Sequence, residues 1–138
     1  MIRRLTHVGI AVNDAGQSSA LFAKLLGIGV GHRAEVEDQN VQLVFFEVGE
    51  TGIELLQPTA GDSPIARFIE KRGEGIHHLS FEVDDIRSEI ARLTSAGFRM
   101  IDEQPRVGAD GFEIAFLHPK STNGVLIEIS QKMARENL

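Results

Sequence analysis

Apolar and polar residues alternate from His7 to Val12, so that Val8, Ile10 and Val12 share one face of a strand and His7, Gly9 and Ala11 share the other. The same alternation returns between His78 and Val83, where Leu79, Phe81 and Val83 oppose His78, Ser80 and Glu82. In both runs the bulky face suits packing against a helix. The histidine shares its face with small or polar residues, which leaves room for a cavity. Helices are predicted next, because Asp14 and Asp85 stand at N-cap positions ahead of patterns carrying Leu21, Leu25 and Ile28, and Ile86, Ile90 and Leu93. Gly27 and Gly97 fall where these helices should stop. Strand-like runs follow at Val41 to Val48 and Gly52 to Gln57, and again at Glu113 to Leu117 and Val125 to Ser130. Each pair is preceded by a weakly marked strand, so each half reads as β-α-β-β-β.

The halves repeat in sequence as well as in pattern. Leu5 to Asp14 recurs as Ile76 to Asp85, an offset of 71 residues (78 − 7), and Gly52 to Gln57 recurs as Leu126 to Gln131, an offset of 74 (128 − 54). The first copy spans about 1–60 and the second about 75–132. Between them lies a connection with Pro and Gly at both ends, Pro58 to Gly75, containing a short predicted helix from Ile65 to Lys71. At 138 residues the chain is expected to be one α+β domain, 1–138, built from two tandem modules.

Composition narrows the chemistry. There is no cysteine, which excludes disulfides and thiolate metal sites and leaves only N and O ligands for any metal. A net charge of −6 argues against a general nucleic-acid binder. No apolar leader or membrane-length stretch is evident, so a cytoplasmic protein is expected. Disorder is expected only over the last few residues, Ala134 to Leu138.

Each copy contributes one histidine and one glutamate in phase: His7 and Glu54, then His78 and Glu128. Glu54 lies between Ile53 and Leu55, and Glu128 between Ile127 and Ile129, so each carboxylate is alone on the face that does not pack. A charge placed centrally on such a strand needs a partner, since an unpaired buried charge costs several kcal/mol. Two histidines and two carboxylates form a ligand set suited to one divalent transition ion. His77, next to His78, should point the other way and serve a structural or supporting role. His32 reads as an ordinary surface residue and His118 as a turn residue. Lys71, Arg72, Arg106 and Lys120 are candidates for meeting an anionic group.

The most specific stretches are Asp62 to Ala66, Lys71 to His78, Asp102 to Ala109, and Phe116 to Ser121 followed by Gly124 to Glu128. With them, the chain resembles the vicinal oxygen chelate (glyoxalase/bleomycin resistance/dioxygenase) superfamily, and within it the methylmalonyl-CoA epimerase family. The resemblance covers Leu5 to about Gln131. It implies paired modules forming a U-shaped mixed sheet around a metal held by His7, Glu54, His78 and Glu128. The expected ion is divalent, cobalt foremost, then manganese, nickel or zinc. It also implies an acyl-CoA substrate, methylmalonyl-CoA, whose two epimers interconvert by removal and return of the α-proton through a stabilised enolate, with Glu128 as a catalytic acid/base. Some family members carry a second glutamate where Leu43 stands here, and Leu cannot transfer a proton; a one- or two-residue shift in register would bring Glu47 there instead. A homodimer is expected, because open sheet edges tend to find partners. The ligand set alone leaves open a glyoxalase I-like lyase or a metal-free small-molecule-binding protein of the same fold.

Overall fold

In a computed structural model, residues 1–133 are described; Ala134 to Leu138, where disorder was expected, lie outside the described residues. The elements run β1 (Ile2–Ala11), α1 (Ala15–Leu26), β2 (His32–Val36), β3 (Val41–Val48), β4 (Thr51–Pro58), α2 (Pro64–Arg72), β5 (Gly75–Val83), α3 (Ile86–Ser95), β6 (Arg106–Val107), β7 (Phe112–Leu117) and β8 (Leu126–Lys132). The β-α-β-β-β order therefore occurs twice, joined by α2. The weakly marked strands are β2 and the two-residue β6. No helix among the described residues is long and apolar enough to cross a membrane.

The chain divides into two compact units, His7–His78 and Met1–Thr6 with the chain from Leu79 onward. These bounds differ from those of the sequence repeat because β1 and β5 each give one end to each unit. In the first unit, strands lie in the order β2, β3, β4, β1, β5, with β1 and β4 parallel and β2, β3 and β4 antiparallel. In the second, the order is β1, β5, β8, β7, β6, and the pairs β6–β7 and β7–β8 are antiparallel. The start of β1 is tied to the end of β5 there by side chains: Thr6 Oγ1 donates to the Ser80 carbonyl at 3.0 Å, Arg4 pairs with Glu82 at 2.9 Å, and Arg3 pairs with Asp84.

Both long helices start on an aspartate. Asp14 accepts from the Gln17 amide and Asp85 from the amides of Arg87 and Ser88, caps worth about 1 kcal/mol each. A second device repeats with them. The amide of Ala15 donates to Gln57 Oε1 at 2.7 Å, and that of Ile86 to Gln131 Oε1 at 2.8 Å. The glutamine three places after each candidate glutamate thus satisfies an amide at the helix start that has no partner within the helix. Helix α1 ends at Gly27, whose left-handed backbone (φ 68°) a residue with a Cβ adopts less readily.

The cores sit under the faces opposite the candidate ligands. Val12, Ala15, Val44, Phe46 and Leu55 form the first, with Ile10, Phe22, Ala23, Leu26 and Ile53 against it. Val83, Ile86, Ile90, Leu93, Ala115, Leu117 and Ile129 form the second. The helices differ from expectation in one respect. Ile86, Ile90 and Leu93 are buried, whereas Leu21 and Leu25 are 62% and 72% exposed. Helix α1 instead packs through Ala15, Ser19, Phe22, Ala23 and Leu26, a stripe at the helical repeat that uses small residues and so looks weak in the sequence.

Candidate active site and metal centre

Three of the four expected ligands come together within the first unit. His7 lies on β1 opposite Gly52 of β4, Glu54 lies two residues further along β4, and His78 lies on β5. Their ligand atoms all fall within 4.8 Å of one another. His7 Nε2 is 3.0 Å from His78 Nε2, while Glu54 oxygens stand 3.6 Å from His7 Nε2 and 3.8 Å from His78 Nε2. Metal bonds of about 2.1 Å set at right or tetrahedral angles place neighbouring ligand atoms roughly 3.0–3.4 Å apart. The three side chains therefore fit one divalent ion with little movement.

Strand alternation explains the grouping. Ile53 and Leu55 face the core, which turns Glu54 to the other side, where its carboxylate is only 15% exposed. Phe45, opposite Glu54 on β3, sets its ring edge-on to His7 at 6.0 Å. Gly9, beside Glu54 in the register, makes the room for His78, since a Cβ on Gly9 would lie 2.2 Å from the His78 ring. Any side chain at Gly9 would evict a ligand. Burial also sets the charge state: it lowers His7 to a pKa of about 4, and it holds His78 well below the usual histidine range, helped by repulsion from His7 and His77. Both rings are neutral near pH 7, the form that offers a lone pair to a cation.

Glu128 belongs to the second unit, on β8 opposite Phe116 of β7. Its carboxyl is buried and accepts a 2.7 Å hydrogen bond from the Ser80 hydroxyl. Burial pushes its pKa up to about 7; the Ser80 bond and Arg106 pull the other way, and Asp102 adds to the rise. Such a carboxyl takes up and releases protons near neutrality, as a general acid/base requires.

Leu43 is buried beside Leu56, on the same face as Glu54, and Glu47 is exposed near the end of β3. His32 is exposed, at the start of β2. His118 caps the turn of Pro119–Ser121 by accepting from the Lys120 amide. Arg106 pairs with Asp102 at 3.4 Å and covers the Phe116 ring; Arg72 covers that of Phe68. Sequence reasoning had not singled out Gly9 or Ser80. The period of two marks both, since each lies two residues beyond a ligand histidine on the same face.

The model of the Glyoxalase/Bleomycin resistance protein/Dioxygenase superfamily matches residues 6–116. The chain belongs to this superfamily. Its α+β architecture of two β-α-β-β-β copies is the glyoxalase-like fold expected from the repeat, and its His-Glu-His group agrees with a divalent metal in that fold. Among relatives of the superfamily, the chain is 44% identical over 133 residues to an ethylmalonyl-CoA/methylmalonyl-CoA epimerase of Cereibacter sphaeroides, covering 95% of this chain and 99% of that protein. It is 40% identical over 129 residues to the mitochondrial methylmalonyl-CoA epimerase of Homo sapiens, covering 93% and 73%. Among solved structures, a methylmalonyl-CoA epimerase in complex with methylmalonyl-CoA and NH4+ superposes with a TM-score of 0.91 at 32% identity, over 97% of both chains. The methylmalonyl-CoA epimerase of Mycobacterium tuberculosis gives a TM-score of 0.91 at 35% identity, over 96% of this chain and 90% of that one.

Proposed function

We propose that this protein is a metal-dependent methylmalonyl-CoA epimerase. The observation that carries the reading is the meeting of two neutral histidines and a carboxylate, His7, His78 and Glu54, in a chain whose relatives bear that name. Glu128 joins them as fourth ligand, on the strength of the sequence repeat and the family resemblance. When bound, a divalent ion supplies a Lewis acid that favours negative charge on a thioester oxygen. The chain's own groups do the rest. Glu128 takes the α-proton from the carbon between thioester and carboxylate. Ser80 holds that carboxyl in place through its hydroxyl. Leu43 carries no proton, so the return proton comes from a water or from another residue.

Cobalt is the proposed ion, ahead of manganese, nickel and zinc, and the working form is proposed to be a cytoplasmic homodimer. Sedimentation of the purified chain at micromolar concentration should give twice the mass of 15.1 kDa; a monomer would refute the dimer. The activity is tested by incubating cobalt-loaded protein with a single epimer of methylmalonyl-CoA in deuterated water. Deuterium should enter at the α-carbon as the two epimers equilibrate, and chelator treatment should stop both. No exchange above the uncatalysed rate would refute the assignment.

A further inference from the structure

His77 lies between Ile76 and His78 on β5, and strand alternation alone would turn its ring away from His78. The rings nevertheless meet. Nδ1 of His77 lies 3.0 Å from Nδ1 of His78, with the ring planes at 90° and the centroids 5.3 Å apart. At that distance one proton lies between two nitrogens, so one ring donates and the other accepts. If His77 donated, neutral His78 would carry its proton on Nε2, the nitrogen that faces His7 and Glu54, and would have no lone pair there. If His78 donates, its Nε2 lone pair is directed at the ligand cluster.

From this geometry we infer that His77 is a positioning residue of the metal centre: it accepts the Nδ1 proton of His78 and so fixes Nε2 as the coordinating nitrogen. The inference rests on the metal-site reading above. Metal-bound histidines ordinarily pass their second N–H to a carboxylate, a carbonyl or water, and that partner fixes both tautomer and ring orientation. Here the partner is a neighbouring imidazole, half-buried and itself held from the other side. Phe68 of α2 sets its ring edge-on to His77 at 5.0 Å and 81°, and the Arg72 guanidinium covers Phe68 at 5.8 Å. The helix that joins the two copies thus acquires a task at the site. Through Phe68 it holds the acceptor, and through the acceptor it orients a ligand. A neutral acceptor also transfers less negative charge to His78 than a carboxylate would, which leaves a bound cation the stronger Lewis acid.

The test uses zinc, which is diamagnetic, on the whole protein. Long-range proton–nitrogen NMR of the zinc-loaded wild type should show the His78 proton on Nδ1; a proton on Nε2 would overturn the inference. Zinc affinity is then measured by competition with a chromophoric chelator for His77→Phe and His77→Asn, each checked for an unchanged melting temperature. His77→Phe keeps an aromatic ring against Phe68 but has no acceptor, and should bind zinc about 10–100-fold more weakly. His77→Asn places Oδ1 where Nδ1 stood and should recover most of the loss. Wild-type affinity in a folded His77→Phe protein, or equal losses in both variants, would overturn the inference while leaving the metal site standing. A wild type that takes up no zinc, or a His7→Ala variant that binds as well as wild type, would instead remove the site itself.

Discussion

Gly9 and Ser80 occupy the same step of the two copies, each two residues beyond a ligand histidine, yet they do opposite things. In the first unit the missing side chain of Gly9 is the space that His78 fills, and the result is a cluster of His7, Glu54 and His78. In the second unit the Ser80 hydroxyl reaches Glu128, whose buried carboxyl has a pKa raised to about 7. One unit gathers two neutral histidines and a carboxylate, a set able to take a cation, and the other holds a carboxyl whose pKa is raised to about 7. The two copies thus differ at one step of one strand, and that step bears on a different group in each. Leaving space and supplying a donor are different chemical instructions.

The sharpest way to break this comparison is to treat the two glutamates alike. Glu128→Gln keeps an oxygen donor but loses the proton acceptor, so epimerisation should fall about 10²–10⁴-fold while metal content changes far less. Glu54→Gln should alter metal affinity modestly and leave turnover measurable. Steady-state kinetics beside elemental analysis decide the matter, and near-normal activity in Glu128→Gln with none in Glu54→Gln would move the base to β4.

Gly9→Ala comes next. Its methyl would stand 2.2 Å from the His78 ring, which must move, so metal affinity should drop roughly 10–100-fold in a chelator competition assay. Ser80→Gly, the reverse exchange at the equivalent step, displaces no ligand ring and should lower that affinity less than Gly9→Ala does.

The pH dependence of the metal-free protein separates the units by sign. His7 titrates near 4 in the folded chain and near 6.5 when unfolded, so the unfolded chain binds the extra proton and stability is lost as pH falls from about 6.5 to 4. The loss is roughly 3 kcal/mol for this residue. His77, also lowered to about 4, and His78 act in the same direction. Glu128 acts in the opposite direction, because its folded pKa of about 7 exceeds the unfolded value of 4.5 and favours the folded state as pH falls between them. Urea unfolding of metal-free protein between pH 7 and 4 should therefore show a net decline, and Glu128→Gln should steepen it. A flat profile in both proteins would refute the assigned burial effects.

Ser80→Ala removes one hydrogen bond to the Glu128 carboxyl. Because that bond lowers the Glu128 pKa, its removal should shift the Glu128 titration upward, measurable by carbon-13 NMR of the carboxyl in the metal-free protein. A titration unmoved by the change would show that the hydroxyl does not hold the carboxyl.

Much of this was legible in the chain. The alternation at His7 to Val12 and His78 to Val83, the aspartate caps and the in-phase glutamates all follow from local rules, and the strands and helices lie where those rules put them. Helix α1 departs from the expected pattern because its packing stripe mixes the small Ala15, Ser19 and Ala23 with Phe22 and Leu26, while Leu21 and Leu25 face outward. The compact units divide within β1 and within β5, a division that no repeat in the sequence marks. The roles of Gly9 and His77 depend on where the His78 ring lies, which follows from tertiary packing and not from any local pattern. The residues alone also left lyase and epimerase apart only by motif, and the similarity to named epimerases carries that choice.

The central claim, that the His7, Glu54 and His78 cluster holds a catalytic ion, is tested most directly by titrating metal-free protein with Co²⁺ and following its visible absorption. The account predicts saturation at one ion per chain, with spectral bands that disappear in His7→Ala and His78→Ala variants of unchanged melting temperature. A wild-type protein that shows no cobalt spectrum, or a spectrum that survives loss of both histidines, would contradict it.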